Sequence, residues 1–333
     1  MRLDNDEISF TCLTLAVLFA IHIYVSVTAP LVFDVPKGKI IEIKRGMNIR
    51  EISLLLKREK VIHQAWVFML LTRLRPGMVI KAGEYQLDSA AKINTVQLLN
   101  ILQKGKSICR KVTIPEGCNI RQIAAILAEH GVVDEEKFVE AANDPKLVRQ
   151  LGIHARSLEG YLFPDTYCFS KGLPEKFVIE TMLARFRKII PPEWEARSRE
   201  MGFDLHQIIT LASLIEKETS VKEEKSLVSA AYHNRLRDGM RLQCDPTVIY
   251  SLKSFDGNLT REHLSIDSPY NTYRIYGLPP GPITNPGEES IKAALYPAKT
   301  GYRYFVSKNN GTHQFSYTLK EHNNAVEKYQ KRR

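Results

Sequence analysis

Much of what marks a familiar chemistry is missing from this chain. None of its five cysteines stands in a CxxC pair, and its nine histidines form no HExxH or HxH. That removes the common zinc sites and dithiol redox motifs, so no metal is expected. There is no GxSxG elbow, no SxxK and no P-loop, and with them go the usual serine nucleophiles and nucleotide cradles. No cofactor is expected either. Charge of one sign is nowhere concentrated: the net +10 is scattered, and its densest cluster, EKYQKRR at the C-terminus, has no zinc-finger spacing or RNP-like motif beside it. Nucleic acid is therefore the weakest of the partners that a pI near 9.2 invites. Anionic lipid headgroups or an anionic cell wall account for the balance better. Five cysteines in 333 residues also make no disulfide scaffold. Cys109 and Cys118 are the pair to join if the chain is exported; buried, idle thiols are the simpler reading.

What is present begins at the N-terminus. Phe10–Val27 (FTCLTLAVLFAIHIYVSV) carries no full charge and approaches the roughly 20 residues of a membrane-spanning helix. A cleaved signal is disfavoured, because Arg2 is outweighed by Asp4, Asp6 and Glu7 and the SVTAP stretch is a weak cleavage site. An uncleaved anchor over 10–30, behind a short cytoplasmic tail over 1–9, is the expectation. Lys37, Lys39, Lys44 and Arg45 follow the span, so charge alone would leave the body in the cytoplasm.

The length suggests two or three domains. Ile40–Ile43 alternates like a strand, Gly46 turns the chain, and Ile49, Ile52, Leu55 and Leu56 mark a helix. A second helix over Gln64–Leu74, a strand over Lys81–Leu87 and a helix opened by Asn94 and closed by Gly105 complete a small strand–helix–helix–strand unit over 38–105. VTIPEGCNIRQIAAIL then echoes IEIKRGMNIREISLLL, which suggests two related α/β modules feeding a third region. From Leu158 onward the texture changes to compact Gly/Pro/aromatic blocks between helical stretches, the composition of groove walls or of ordinary turns. YRYFVS and HQFSYT around KNNGT read as a hairpin before a last helix.

Carboxylates set among aromatics, amides and glycines suit carbohydrate. Aromatic faces stack on sugar rings, and one carboxyl in an apolar pocket can keep its proton and give it to a glycosidic oxygen. LASLIEKETS, residues 211–220, offers Glu216 and Glu218 for that part. On a helical wheel both fall at borders of the apolar stripe, Glu218 about 70° and Glu216 about 90° from its centre, a margin too small to choose between them.

Taken in order, KAGEYQL, TIPEG, LEGYLFPDTY, ASLIEKET, NRLRDGMRLQCDPTVIY, SPYNTY, GLPPGPITNPG, SIKAALYPA, YFVSKNNGTHQFS and EHNNAV resemble the endolytic murein transglycosylases of the MltG (YceG-like) type over nearly everything beyond the anchor. The resemblance implies an α+β protein: a transmembrane helix, a LysM-like βααβ module over 38–105, and a mixed α/β catalytic domain over 106–333 with a helical frame and Pro/Gly/aromatic groove loops. It implies a single-pass protein of the bacterial cytoplasmic membrane with its body outside, against the charge argument. It further implies cleavage of the MurNAc–GlcNAc β-1,4 bond of peptidoglycan without water, terminating or releasing nascent strands near the synthases of elongation or division.

Within the matching IEKET the family's catalytic glutamate is the second, here Glu218, with Glu216 supporting. Glu218 would protonate the leaving oxygen and then, as carboxylate, take the proton of the C6 hydroxyl that closes onto C1 to give a 1,6-anhydro end. Glu159, Tyr161, Asp165, Tyr167, Gln243, Asp245, Asn271, Tyr273 and the GLPPG loop are the substrate-groove candidates. Each has a plain structural alternative, an Asx turn for Asp165 and core packing for Tyr161 and Tyr167. Cys244, where Ser or Thr is common, puts a hydroxyl-mediated hydrogen bond in doubt; His233 is a second small departure. An inert glycan-binding scaffold and a water-using muramidase, with Asp245 or Glu159 as second carboxylate, are the competing readings.

Overall fold

The computed structural model describes residues 5–31, 39–44, 46–87, 92–105, 108–252 and 254–331, the side chains of 5–9 and 12 excepted. Lys37 and Arg45, on which the charge-based orientation leans, lie outside the described residues. The chain is mixed α/β, mainly helical with three two-stranded sheets among those residues. It divides into two compact units, Met1–Arg110 with Cys168–Leu173, and Lys111–Tyr167 with Pro174–Arg333.

The first unit runs α1 (Asn5–Thr28), β1 (Lys39–Ile43), α2 (Ile49–Arg58), α3 (Ala65–Arg73), β2 (Gly83–Leu87) and α4 (Thr95–Lys104). β1 and β2 pair antiparallel with Ile41 opposite Tyr85. Period-two alternation turns Ile41 and Ile43 inward and leaves Ile40 and Glu42 outside. The inward residues meet Ile52 and Leu56, Phe68, and Leu98, Leu99 and Leu102 in one apolar core. Asn48 with Glu51 and Asn94 with Gln97 close reciprocal capping boxes that start α2 and α4 where the sequence places them. In α1, Phe19 stacks on Trp66 at 5.7 Å, while Phe10, Leu13, Leu15 and Leu18 are exposed. Among the described residues, from which part of α1's side chains is left out, no helix is long and apolar enough to cross a membrane.

A disulfide joins Cys109 to Cys168, with Cα atoms 5.2 Å apart, and Cys118 is a free thiol. Idle thiols, the simpler reading, are thereby corrected for Cys109 and Cys168, and so is the alternative Cys109–Cys118 pair. The cause is strand pairing: β3 (Arg110–Thr113) and β4 (Thr166–Phe169) share a two-stranded sheet, which sets residue 168 beside 109.

The second unit continues with α5 (Ile120–Glu129), α6 (Glu135–Asn143), α7 (Pro145–Gln150), α8 (Glu175–Ile189), α9 (Pro192–Glu200), α10 (Leu205–Glu218), α11 (Lys222–Arg237), α12 (Asp245–Ser251), α13 (Arg261–Leu264) and α14 (Glu288–Leu295). The antiparallel hairpin β5 (Tyr304–Ser307) and β6 (His313–Ser316) follows, then α15 (Leu319–Val326), extended by a π-helical turn over Glu327–Lys331. The echo between modules has a local cause. Gly46 and Gly117 take φ of +81° and +78°, and two residues after each an Asn opens a capping box, Asn48 for α2 and Asn119 for α5.

α10 is the centre of this unit. Asp204 and Gln207 cap it, and every residue from Ile208 to Ile215 is buried, with α9, α11, α12 and α14 packed around it. The wheel reading of one apolar stripe is too narrow here, because neighbours cover the helix on all sides. The hydroxyls of Thr210 and Ser213 satisfy themselves on carbonyls of their own helix, those of His206 at 2.8 Å and Thr210 at 2.6 Å.

Gly160 lies against this helix at φ +89°, and a Cβ there would stand 2.5 Å from Pro282 Cγ and 2.8 Å from Ile209 Cγ2. Left-handed strain and overpacking then act together. Gly160→Ala should lose about 2–3 kcal/mol in urea unfolding, whereas Gly202→Ala, at φ +79° with open space around it, should lose only the backbone share of about 1–2 kcal/mol.

Candidate active site

Glu218 is the last residue of α10. Its carboxyl opens into a pocket of about 450 Å³ lined among others by Arg235, Gln243, Asp245, Tyr273, Phe305 and His313. Tyr232 on α11, fully buried, donates its hydroxyl to Glu218 Oε1 at 2.6 Å. The Cys244 thiol adds a hydrogen bond to the same carboxyl through sulfur. Burial raises the Glu218 pKa and the nearby Asp245 raises it further, against the Tyr232 and Cys244 hydrogen bonds and the pull of His313 whenever that ring is protonated. The negative end of the α10 dipole works in the same direction as burial. The result is a carboxyl pushed toward its protonated form at the mouth of a polar and aromatic hollow.

Glu216, two residues earlier, does something else. Both its oxygens accept from the buried Lys225 ammonium, at 3.2 and 3.3 Å, and Oε2 also accepts from Gly287 N at 3.0 Å, at the start of α14. It fastens α10 to α11 and α14.

Around the pocket the polar groups are held by main chain. Arg235 donates to the carbonyls of Arg303, Arg241 and Leu242 and to Gln243 Oε1, with Tyr304 under its guanidinium. No carboxylate among the described residues pairs with it. Gln243 takes a φ of +51°, and its N–H bonds the Thr272 carbonyl at 3.1 Å. Tyr273 donates to Asp245 Oδ1 at 2.5 Å.

The candidates from the sequence therefore separate. Glu218, Gln243, Asp245 and Tyr273 share one pocket. Glu159 is buried at a second, larger cleft of about 860 Å³ beside Asn119, Arg121, Asn143, Tyr250 and Phe255. Tyr161 bonds His206 Nδ1 at 2.8 Å, and Tyr167 donates to the Phe163 carbonyl at 2.5 Å. Asp165 pairs with Arg185 at 2.5 Å. Asn271, fully buried, donates its amide to the carbonyls of Leu264 and Ile266. GLPPG borders a third hollow of about 390 Å³ with Phe203 and His206. His233 bonds the Ala294 carbonyl at 2.9 Å. Sequence reasoning missed Tyr232, Arg235 and His313; the first two stand three apart on one helix, a spacing that could have pointed to a shared face.

Glu159 accepts from Ile120 N at 3.1 and 3.2 Å, from Asn285 at 2.9 Å and from Tyr250 at 3.4 Å. Burial nonetheless pushes its pKa up to about 8, those donors opposing. Above the ordinary carboxyl range the folded chain keeps a proton that the unfolded chain releases, so stability falls as pH rises. From about pH 4.5 to about 8, Glu159→Gln should flatten that decline in thermal unfolding.

Comparison with known proteins places the chain in a family. A structure of a YceG-like protein from Listeria monocytogenes superposes with a TM-score of 0.60 at 34% identity, covering 86% of this chain and 98% of that one. A Bacillus subtilis protein named endolytic murein transglycosylase is 32% identical over 306 residues, 87% of this chain and 84% of its own length. One of that name from Streptococcus pneumoniae serotype 2 is 29% identical over 299 residues, and there the chain spans 53% of the relative's length. With the YceG-like family model matching residues 41–328, Glu218 among them, the chain belongs to the YceG-like family.

Proposed function

We propose that this protein is a lytic transglycosylase of peptidoglycan. It cleaves the MurNAc–GlcNAc β-1,4 bond within glycan strands and leaves 1,6-anhydroMurNAc ends. The observation that carries the reading is the carboxyl of Glu218 at the end of α10, its pKa raised by burial, open to a pocket of about 450 Å³, the size class of a small-ligand hollow. The names of the Bacillus and Streptococcus relatives supply the substrate.

In the reaction, Tyr232 holds Oε1 of the Glu218 carboxyl, leaving the proton for the glycosidic oxygen. As the C1–O bond opens, positive charge grows on the MurNAc ring, and the Asp245 carboxylate in the same pocket favours that charge. The C6 hydroxyl of the same ring closes onto C1. Being already attached, it outcompetes water by proximity. Gln243 and Tyr273 supply sugar-hydroxyl contacts.

The rest of the reading concerns placement. The uncharged run Phe10–Val27 anchors the chain in the cytoplasmic membrane, and the βααβ unit acts as a LysM-like glycan-binding module. The body lies outside the cytoplasm, supported by the Cys109–Cys168 disulfide, a bond that persists in oxidising compartments. There the cut terminates or releases nascent strands beside peptidoglycan synthases.

Mass spectrometry of fragments released from purified peptidoglycan by the full chain in detergent tests the reading. Anhydro ends uphold it. A second reading, a water-using muramidase, is favoured by Asp245 lying in the same pocket, and hydrated ends would select it. Binding without any release would select the inert scaffold.

A further inference from the structure

The single-carboxyl scheme asks Glu218 to be a good acid and then a good base. Its surroundings serve the first task better. Tyr232 and Cys244 donate to the carboxyl, and both bonds strengthen once it is an anion, so the carboxylate left behind is a weakened acceptor.

Across the same pocket stands a group without that handicap. Glu224, in the first turn of α11, grips His313 at the start of β6 twice: Oε1 accepts the His313 backbone N–H at 2.8 Å, and Oε2 accepts the ring Nδ1–H at 2.7 Å. Thr219, the residue after Glu218, donates to the same Oε2 at 3.3 Å. Phe305 sets the ring from its edge at 5.7 Å. A carboxylate only accepts, so the proton on Nδ1 is fixed and Nε2 carries the lone pair. Nε2 has no protein partner among the described residues, yet it is not a buried orphan, and His313 lines the Glu218 pocket. Burial of Glu224 alone would raise its pKa, but the two His313 bonds hold it below the usual carboxylate range, ready to stabilise an imidazolium.

We propose that His313, oriented by Glu224, is the base of the reaction and takes the proton of the attacking C6 hydroxyl. This rests on the lyase reading and divides its two proton transfers. Glu218 gives its proton to the leaving O4 as the C1–O4 bond breaks. The C6 oxygen bonds C1 and passes its proton to His313 Nε2, and the resulting imidazolium returns a proton to the Glu218 carboxylate through solvent. The cycle closes with no net proton and no further reactant. His313 is then a catalytic residue, Glu224 a positioning one.

The experiment is steady-state release of anhydro-ended fragments by the full chain in detergent, comparing parent, His313→Ala, His313→Gln and Glu224→Gln, with and without added imidazole. Loss of a general base should lower kcat by about 10²–10⁴-fold with KM little changed, and imidazole should restore part of the rate to His313→Ala alone. Glu224→Gln, whose amide can present N–H to the ring and reverse its tautomer, should lose at least about 10-fold in kcat. Either His313 variant within about threefold of the parent, or a loss confined to KM, overturns the proposal. So does the absence of any imidazole effect on a folded His313→Ala. If His313→Ala unfolds, His313→Gln and Glu224→Gln decide by their kcat. Hydrated ends from the parent overturn the lyase reading itself, and that result is visible without any His313 variant.

Discussion

Glu218→Gln should release no anhydro-ended fragments above background, a loss of at least about 10³-fold, while its thermal unfolding stays at or above that of the parent. The two halves of this expectation have one source. Burial pushes the carboxyl toward its neutral form, which an amide of the same shape mimics. Its oxygen can still accept from Tyr232. What disappears is a transferable proton. Because the folded pKa is raised, the folded chain holds a proton that the unfolded chain gives up above the ordinary carboxyl range, and stability falls as pH rises. The amide removes that penalty, so the variant's stability gain should grow toward alkaline pH. A variant that is inactive and also clearly less stable would make Glu218 a framework residue and sink its assignment as the acid.

Lys225→Met should do the opposite, damaging the fold far more than the chemistry. Lys225 and Glu216 have side-chain exposures of only 6% and 7% and stand 3.2 Å apart. Removing the cation leaves a buried carboxylate with Gly287 N as its remaining donor. Loss of one partner of a buried pair is worth about 3–5 kcal/mol. The Lys225→Met, Glu216→Gln double variant should recover much of that loss, because no uncompensated charge is left. Urea unfolding followed by tryptophan fluorescence reads both. Equal destabilisation in single and double variants would show that packing around the Lys225 stem, and not charge, holds the three helices.

The contrast between these two glutamates shows where sequence reading stops. A wheel places Glu216 and Glu218 at opposite borders of a stripe, but α10 is covered on every side and the stripe decides nothing. The decision is made by partners the local pattern does not contain. Tyr232 and Lys225 stand on the next helix, and Gly287 comes from 71 positions away. Local chemistry was legible wherever a few neighbouring residues suffice. Asn48, Asn94 and Asn119 announce their helices because a capping box spans four residues. Tyr161, Tyr167 and Asn271 were legible as polar residues in aromatic loops, but not as bonded to His206, Phe163 and Leu264. The Glu224–His313 grip, 89 positions apart, leaves no local trace. Cys109 shows the same limit: its nearer neighbour Cys118 was the partner on offer, and a strand pairing across 59 positions chose Cys168.

That bond also changes what a cut in the chain means. Every residue between 109 and 168, including α5, α6, α7 and the whole of LEGYLFPDTY up to Tyr167, sits inside a covalent ring. A protease that nicks this stretch once opens the ring without releasing either piece, so the polypeptide keeps its mass until a reductant arrives. A single scission there leaves the chain covalently whole, whereas one between residues 168 and 218 separates the α10 carboxyl from everything before it.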